Sequence, residues 1–187
     1  MEIISKDFLL ENLKEPLKEV YTIPLLEEEF CTHIINKAKE LGFETNPKED
    51  SLRQMPECTF NTKCLDTTKM LMELVVRDNL NNVFMHLWKQ ITNTGHVQVA
   101  NYNPKTIKEG NWHHDYNSDV SVVIPLNTGK YTGGGTEFWK KGIIKPLPTG
   151  SALIFPSFIN LHRGLTVKDG DRFLLVFWLK YVINQFD

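Results

Sequence analysis

Polar and apolar positions follow two different periods along the chain. Across residues 25–42, Leu26, Phe30, Ile34, Ala38 and Leu41 recur at intervals of four, four, four and three, which places them on one face of a helix. Gly42 then supplies a C-terminal cap. Residues 66–88, with Met70, Leu74, Leu80, Phe84, Leu87 and Trp88, predict one or two further helices. Residues 44–65 carry Pro47 and Pro56 and read as loop with room for one strand. After Gly95 the period shortens to two: Val97 and Val99 alternate with polar neighbours up to Tyr102, as in a half-buried strand. Four further strands are predicted. One is the β-branched run 120–124, ended by Pro125, and the next is 136–139, entered through Gly133-Gly134-Gly135. The others are 152–155, between a Pro-Thr-Gly turn and Pro156, and the dense apolar stretch 172–181. Helices followed by short strands separated by Gly and Pro predict a mainly β protein with N-terminal helices, of the α+β class, built on an antiparallel sandwich or barrel.

A length of 187 residues suits one domain with a full core, with residues 1–94 as helical support and 95–182 as the β core. The formal charge of −2, with basic residues scattered, gives no footprint for a phosphate backbone and disfavours nucleic acid as partner. Cys31, Cys58 and Cys64 lack the paired spacing of a zinc site and are expected to be reduced thiols. Neither a secretory signal nor a bilayer-length apolar run is read, so the expected location is cytoplasmic, away from membranes. A homodimer is compatible with the sequence.

The candidate chemistry centres on Asn111-Trp112-His113-His114-Asp115-Tyr116-Asn117. On a strand, His113 and Asp115 project to one side and His114 to the other. Two same-side ligands need a third from elsewhere, and His162, just after the predicted strand 152–155, is placed to supply it. Two imidazoles and one carboxylate on one face leave three positions open, the arrangement of non-haem Fe(II) oxygenases; a structural zinc site is closed and richer in cysteine. Ten residues further on, Arg172 opens a strand that is apolar on both faces and shares its face with Leu174, Val176 and Trp178. A guanidinium there is costly to bury without an anionic partner, and its two parallel donors match a carboxylate. A dicarboxylate cosubstrate would meet that need.

His113-x-Asp115, then His162, then Arg172 resembles the signature of the Fe(II)- and 2-oxoglutarate-dependent oxygenases. Supporting pieces are Tyr102-Asn103-Pro104, Gly133-Gly134-Gly135-Thr136-Glu137-Phe138, Gly150-Ser151-Ala152-Leu153-Ile154-Phe155-Pro156 and Val167-x-x-Gly170-x-Arg172. The chain is most similar to the prolyl and lysyl hydroxylase branch. The doubled histidine, the triple glycine and arginine at 172 lean toward the procollagen-lysine hydroxylase catalytic domain. The resemblance implies a double-stranded β-helix, the cupin-like jelly-roll, with helices packed on one sheet. It implies Fe(II) held by His113, Asp115 and His162, and 2-oxoglutarate whose far carboxylate is held by Arg172. It further implies O2 as oxidant and ascorbate as reductant.

Tyr102 is a candidate hydrogen-bond donor to the cosubstrate, and Thr136 and Trp178 are candidate pocket lining. His114 is expected to be structural or near the entrance, Trp112 and Tyr116 to line a groove or to pack, and Lys140, Lys141 and Lys145 to form a solvated hairpin face. His33 and His86 are expected to be ordinary helix residues. The implied activity is hydroxylation of a peptidyl lysine or proline, lysine slightly ahead, with 2-oxoglutarate converted to succinate and CO2. The alternatives are hydroxylation of a free amino acid or small metabolite, and a non-catalytic jelly-roll binding module.

Overall fold

The computed structural model describes residues 5–45, 55–84 and 90–182; Pro47, His86, Leu87 and Trp88 lie outside them. The chain starts with helix α1 (Lys6–Asn12), whose Ser5 Oγ accepts from the Phe8 N–H at 3.2 Å. Strands β1 (Lys14–Leu17) and β2 (Val20–Pro24) follow, where the periodicity predicts no strand. Helix α2 (Glu28–Leu41) carries Glu28 and Glu29 in its first turn and Lys39 in its last, the charge order its dipole favours. It ends at Gly42, whose φ of +82° turns the chain away while its N–H reaches the Ala38 carbonyl. Cys31, Ile34, Ile35 and Ala38 form its buried face, with Phe30 and Leu41 at the margins.

Next come β3 (Glu57–Thr59), α3 (Phe60–Lys63) and α4 (Leu65–Leu71), a π-helical segment (Met72–Leu80) and α5 (Asn81–Phe84). Of the predicted apolar positions here, Leu80 and Phe84 are buried and Met70 is exposed. Strand β4 (Ile91–Tyr102) begins before Gly95, not after it. Gly95 lies inside the strand because a Cβ there would stand 2.7 Å from the Trp178 carbonyl.

The remaining strands are β5 (Val120–Pro125), β6 (Thr132–Gly133), β7 (Thr136–Phe138), β8 (Gly142–Ile144), β9 (Ser151–Pro156), β10 (His162–Gly164), β11 (Val167–Asp169) and β12 (Arg172–Tyr181). Seven strands form one antiparallel sheet in the order β1-β2-β9-β5-β12-β4-β3; β10-β7-β8 and β11-β6 form two small antiparallel sheets.

The large sheet is buried on both faces. Val97, Val99, Val122, Ile124, Ile154, Phe173, Leu175 and Phe177 turn toward the helices and pack with Ile34, Leu71, Val75 and Phe84. On the opposite face, Leu153 and Phe155 pack against Phe138 and Ile144 of the small β10-β7-β8 sheet, while Leu174 and Val176 face a cavity. Among the described residues, Cys31 and Cys58 are buried and Cys64 half-buried, all unpaired, and burial pushes the Cys31 thiol up to about 12. No described helix is long and apolar enough to cross a membrane.

Phe177 is fully buried on the helix side of β12. Phe177→Ala should lower unfolding stability by about 3–5 kcal/mol through lost burial and a residual cavity. Lys180→Ala, at an exposed position of the same strand, should change it by less than about 0.5 kcal/mol. Urea denaturation of both variants checks the difference.

Candidate metal centre and anion pocket

His162 opens β10, and its backbone exchanges two hydrogen bonds of 3.0 Å with His113, an isolated antiparallel bridge. That pairing sets the two imidazoles side by side with ring centroids 4.3 Å apart. The regular strand expected through 113–115 is not formed: after the bridge the chain turns, and the Ser118 N–H closes on the Asp115 carbonyl at 3.2 Å. The turn brings the Asp115 carboxylate to both rings, with Oδ1 3.5 Å from His113 Nε2 and Oδ2 3.7 Å from His162 Nε2. One ligand atom from each of the three residues lies within 4.8 Å of the others.

Each ring is held by its other nitrogen. His113 Nδ1 is 2.8 Å from the Asn111 carbonyl, and His162 Nδ1 is 3.0 Å from the Asn160 carbonyl. A carbonyl only accepts, so Nδ1 carries the proton in both rings and each Nε2 is left with a free lone pair facing the carboxylate. Burial, opposed by the Asp115 carboxylate, pushes His162 down to about 4, which keeps it in the neutral form that ligates metals. This donor set suits a divalent first-row metal such as Fe(II). His114 stands outside the trio, its ring edge-on to Tyr116 at 5.2 Å and its two nitrogens buried without a described partner.

Arg172 opens β12 and is only 3% exposed, yet its Nε and Nη1 have no hydrogen-bond partner among the described residues. Its guanidinium lies 5.4 Å from the Tyr102 ring centre and 6.0 Å from that of Tyr131, a cation–π cradle that holds the charge without neutralising it. One cavity of about 480 Å³ is lined by Arg172 and by His113, Asp115 and His162. Tyr102, Thr136 and Trp178 line it as well, with Gln98, Leu174 and Val176. Burial raises the Tyr102 hydroxyl, a shift that nearby Arg172 moderates, so it remains a proton donor at neutral pH. The volume is that of a small-molecule site, and an unpaired buried guanidinium on its wall calls for an anionic ligand.

In sequence, the chain is 29% identical over 177 residues to the multifunctional procollagen lysine hydroxylase and glycosyltransferase of Caenorhabditis elegans, a match covering 84% of this chain and 23% of that protein. It is 22% identical over 184 residues to human procollagen-lysine,2-oxoglutarate 5-dioxygenase 2, covering 92% of this chain and 25% of that one. The chain thus spans about a quarter of the length of these relatives. No family model matches it. Among solved structures, a Pseudomonas putida prolyl-4-hydroxylase superposes with a TM-score of 0.68 at 15% identity, over 88% of this chain and 93% of that one. The viral collagen prolyl hydroxylase of Paramecium bursaria Chlorella virus-1, in its 2-oxoglutarate complex, superposes at 0.59 with 23% identity, over 88% and 97%. The chain resembles the prolyl and lysyl hydroxylases of the Fe(II)- and 2-oxoglutarate-dependent oxygenases.

Within this hydroxylase-like fold, Gly133, Gly134 and Gly135 all have positive φ, and their lack of side chains lets the turn lie close against its own chain. Added Cβ atoms would meet the Thr166 carbonyl at 2.4 Å, the Arg172 side chain at 3.2 Å and the Ile144 carbonyl at 2.6 Å. Lys141 is not part of a solvated face: its Nζ donates to the Lys18 carbonyl at 2.9 Å and to Asn160 Oδ1 at 2.7 Å. Trp112 packs edge-on to Trp139 at 5.3 Å beneath the Arg163 guanidinium, which pairs with Glu137; Tyr116 is exposed, as is His33.

Ser121, which donates to Asp115 Oδ2 at 2.5 Å, and Tyr131, whose ring faces the Arg172 guanidinium, carry no local sequence signal because only tertiary folding brings them there. Since Nε and Nη1 of the guanidinium have no hydrogen-bond partner among the described residues and only two rings face its charge, Arg172→Met should keep or raise the thermal midpoint of the ligand-free protein. A drop of several degrees by calorimetry would show that Arg172 serves the fold instead of a ligand.

Proposed function

We propose that this chain is an Fe(II)- and 2-oxoglutarate-dependent dioxygenase, a single double-stranded β-helix (jelly-roll) domain that hydroxylates a peptidyl lysine or proline. The observation that carries this reading is the unpaired, buried Arg172 guanidinium in the same cavity as His113, Asp115 and His162. His113 and His162 would hold the metal through Nε2 and Asp115 through its carboxylate. The chemistry that bound Fe(II) supplies is oxygen activation: substrate C–H, O2 and 2-oxoglutarate give C–OH, succinate and CO2.

The chain's own residues bind and orient. Arg172 holds the distal carboxylate of 2-oxoglutarate by charge-assisted hydrogen bonds, which satisfies the donors it otherwise leaves buried and unpaired. Tyr102 and Thr136 offer hydroxyls on the same wall, and Trp178, Leu174 and Val176 exclude water from it. Lysine is the favoured substrate. Among the described residues, the charged side chains lining the cavity besides Arg172 and Asp115 are the acidic Glu57 and Glu109, a negative wall that favours a cationic side chain over an uncharged proline ring. The unpaired Cys31, Cys58 and Cys64 are in keeping with work in a reducing, cytoplasmic-type compartment; ascorbate as reductant rests on the resemblance to the hydroxylases alone.

Incubation with Fe(II), 2-oxoglutarate and ascorbate against lysyl peptides, prolyl peptides and free amino acids tests the proposal, with mass spectrometry for one added oxygen and an assay for succinate. Lysyl peptides should gain the oxygen. Oxygen found only on free amino acids would overturn the peptidyl reading. Asp115→Ala should abolish succinate formation, and Arg172→Ala should raise the 2-oxoglutarate requirement at least about tenfold, the loss expected for one charge-assisted pair.

A further inference from the structure

Three buried serines stand behind the metal-binding carboxylate. Ser121 Oγ lies 2.5 Å from Asp115 Oδ2, Ser157 Oγ 2.7 Å from Ser121 Oγ, and Ser118 Oγ 2.8 Å from Ser157 Oγ. Their exposures are 0% for Ser121, 0% for Ser157 and 2% for Ser118, so no solvent completes the network. Each hydroxyl has one proton, which fixes the direction of the chain. The carboxylate accepts, so the Ser121 proton goes to Oδ2 and Ser157 must donate to Ser121; the one Ser118 proton is shared between Ser157 Oγ at 2.8 Å and the Asp115 carbonyl at 3.1 Å. The Ser157 and Ser121 hydroxyl dipoles align toward the Asp115 carboxylate, an arrangement in which successive hydrogen bonds strengthen one another.

We infer that Ser157, whose described hydrogen bonds go to Ser118, Ser121 and Asp119 and to none of the three metal-ligating residues, is a positioning residue for the metal centre and acts on Asp115 through Ser121. The inference rests on the proposed reading of His113, Asp115 and His162 as ligands. With Oδ2 engaged by Ser121, Oδ1 is the oxygen free of a serine donor, and the relay holds the carboxylate plane in one orientation. The relay also joins separate parts of the centre. Ser121 is on β5, while Ser118 closes the turn after Asp115. Ser157 begins the segment that leads to His162, anchored by its N–H on the Asp119 carbonyl at 3.0 Å. Three residues later Asn160 donates to the Pro156 carbonyl at 2.7 Å and accepts from His162 Nδ1. Ser157 therefore links the turn carrying Asp115 to the segment carrying His162. Removing its hydroxyl leaves Ser121 without its donor in a dry site, while Ser118 keeps the Asp115 carbonyl as acceptor.

The test uses Co(II) as an optical probe of the centre, with Kd from its d–d absorption and the melting temperature of the metal-free protein measured separately. The wild-type protein should bind one Co(II), and Asp115→Ala should not. Ser121→Ala should weaken binding about 10–100-fold and Ser157→Ala about tenfold, the range seen when outer partners of metal ligands are lost. Ser157→Thr, which keeps the hydroxyl, should recover most of the affinity. Because Ser157 acts through Ser121, the double Ala variant should bind no more weakly than Ser121→Ala alone.

A Ser157→Ala protein with a lower melting temperature but unchanged Kd would overturn the inference, as would additive losses in the double variant. Should Ser157→Ala fail to fold, Ser157→Cys decides, since it keeps the volume but not the strong donor; unchanged affinity there would also overturn it. Absence of Co(II) binding by the wild type would overturn the metal reading itself, and the relay with it.

Discussion

The site depends on one strand being buried on both faces. β12 lies inside the large sheet between β5 and β4, and its odd residues Phe173, Leu175 and Phe177 seal the helical core while Arg172, Leu174, Val176 and Trp178 look into the cavity. A strand with no solvated face has a strongly specified register, because a slip of one residue would drive Arg172 into the apolar helix side. The same alternation in β4 turns Val97 and Val99 to the helices and Gln98 and Tyr102 to the cavity. Core packing thus decides which polar groups reach the site.

Across the cavity, the small sheets and the turn after His113 provide a complementary device. A single backbone bridge pairs His113 with His162, and two carbonyls hold their Nδ1 protons, so both rings present a lone pair to the same carboxylate. Glycines 133 to 135 let their loop lie against β11, β8 and the Arg172 side chain. The result is a cavity with a cluster able to hold a metal on one wall and a buried guanidinium without hydrogen-bond partners at Nε and Nη1 on another, at a cost to stability that a bound dicarboxylate would relieve.

Much of this was legible in the sequence where a pattern is local. The helix ending at Gly42 and strands β4, β5, β7, β9 and β12 announce themselves by period and by bounding Gly and Pro. β1 and β2 do not: β1 is a sheet-edge strand of four residues with a proline and little burial, so it lacks the alternation that marks a half-buried strand. β10 and β11 have three residues each, too few to show a period. His113, Asp115, His162 and Arg172 stand out as residue types at telling intervals, but the turn that unites His113 with Asp115 does not. The serine relay is invisible for a plainer reason: Ser157 is 36 residues from Ser121, and serine is an ordinary residue in a strand or turn.

The central claim is that the cavity joins a metal centre to a dicarboxylate anchor. Isothermal titration of 2-oxoglutarate into Mn(II)-loaded protein tests it most directly, with metal-free protein and Arg172→Met beside it. The account predicts saturable one-to-one binding that needs both the metal and the guanidinium. Binding of equal strength without metal, or undiminished by Arg172→Met, would contradict it.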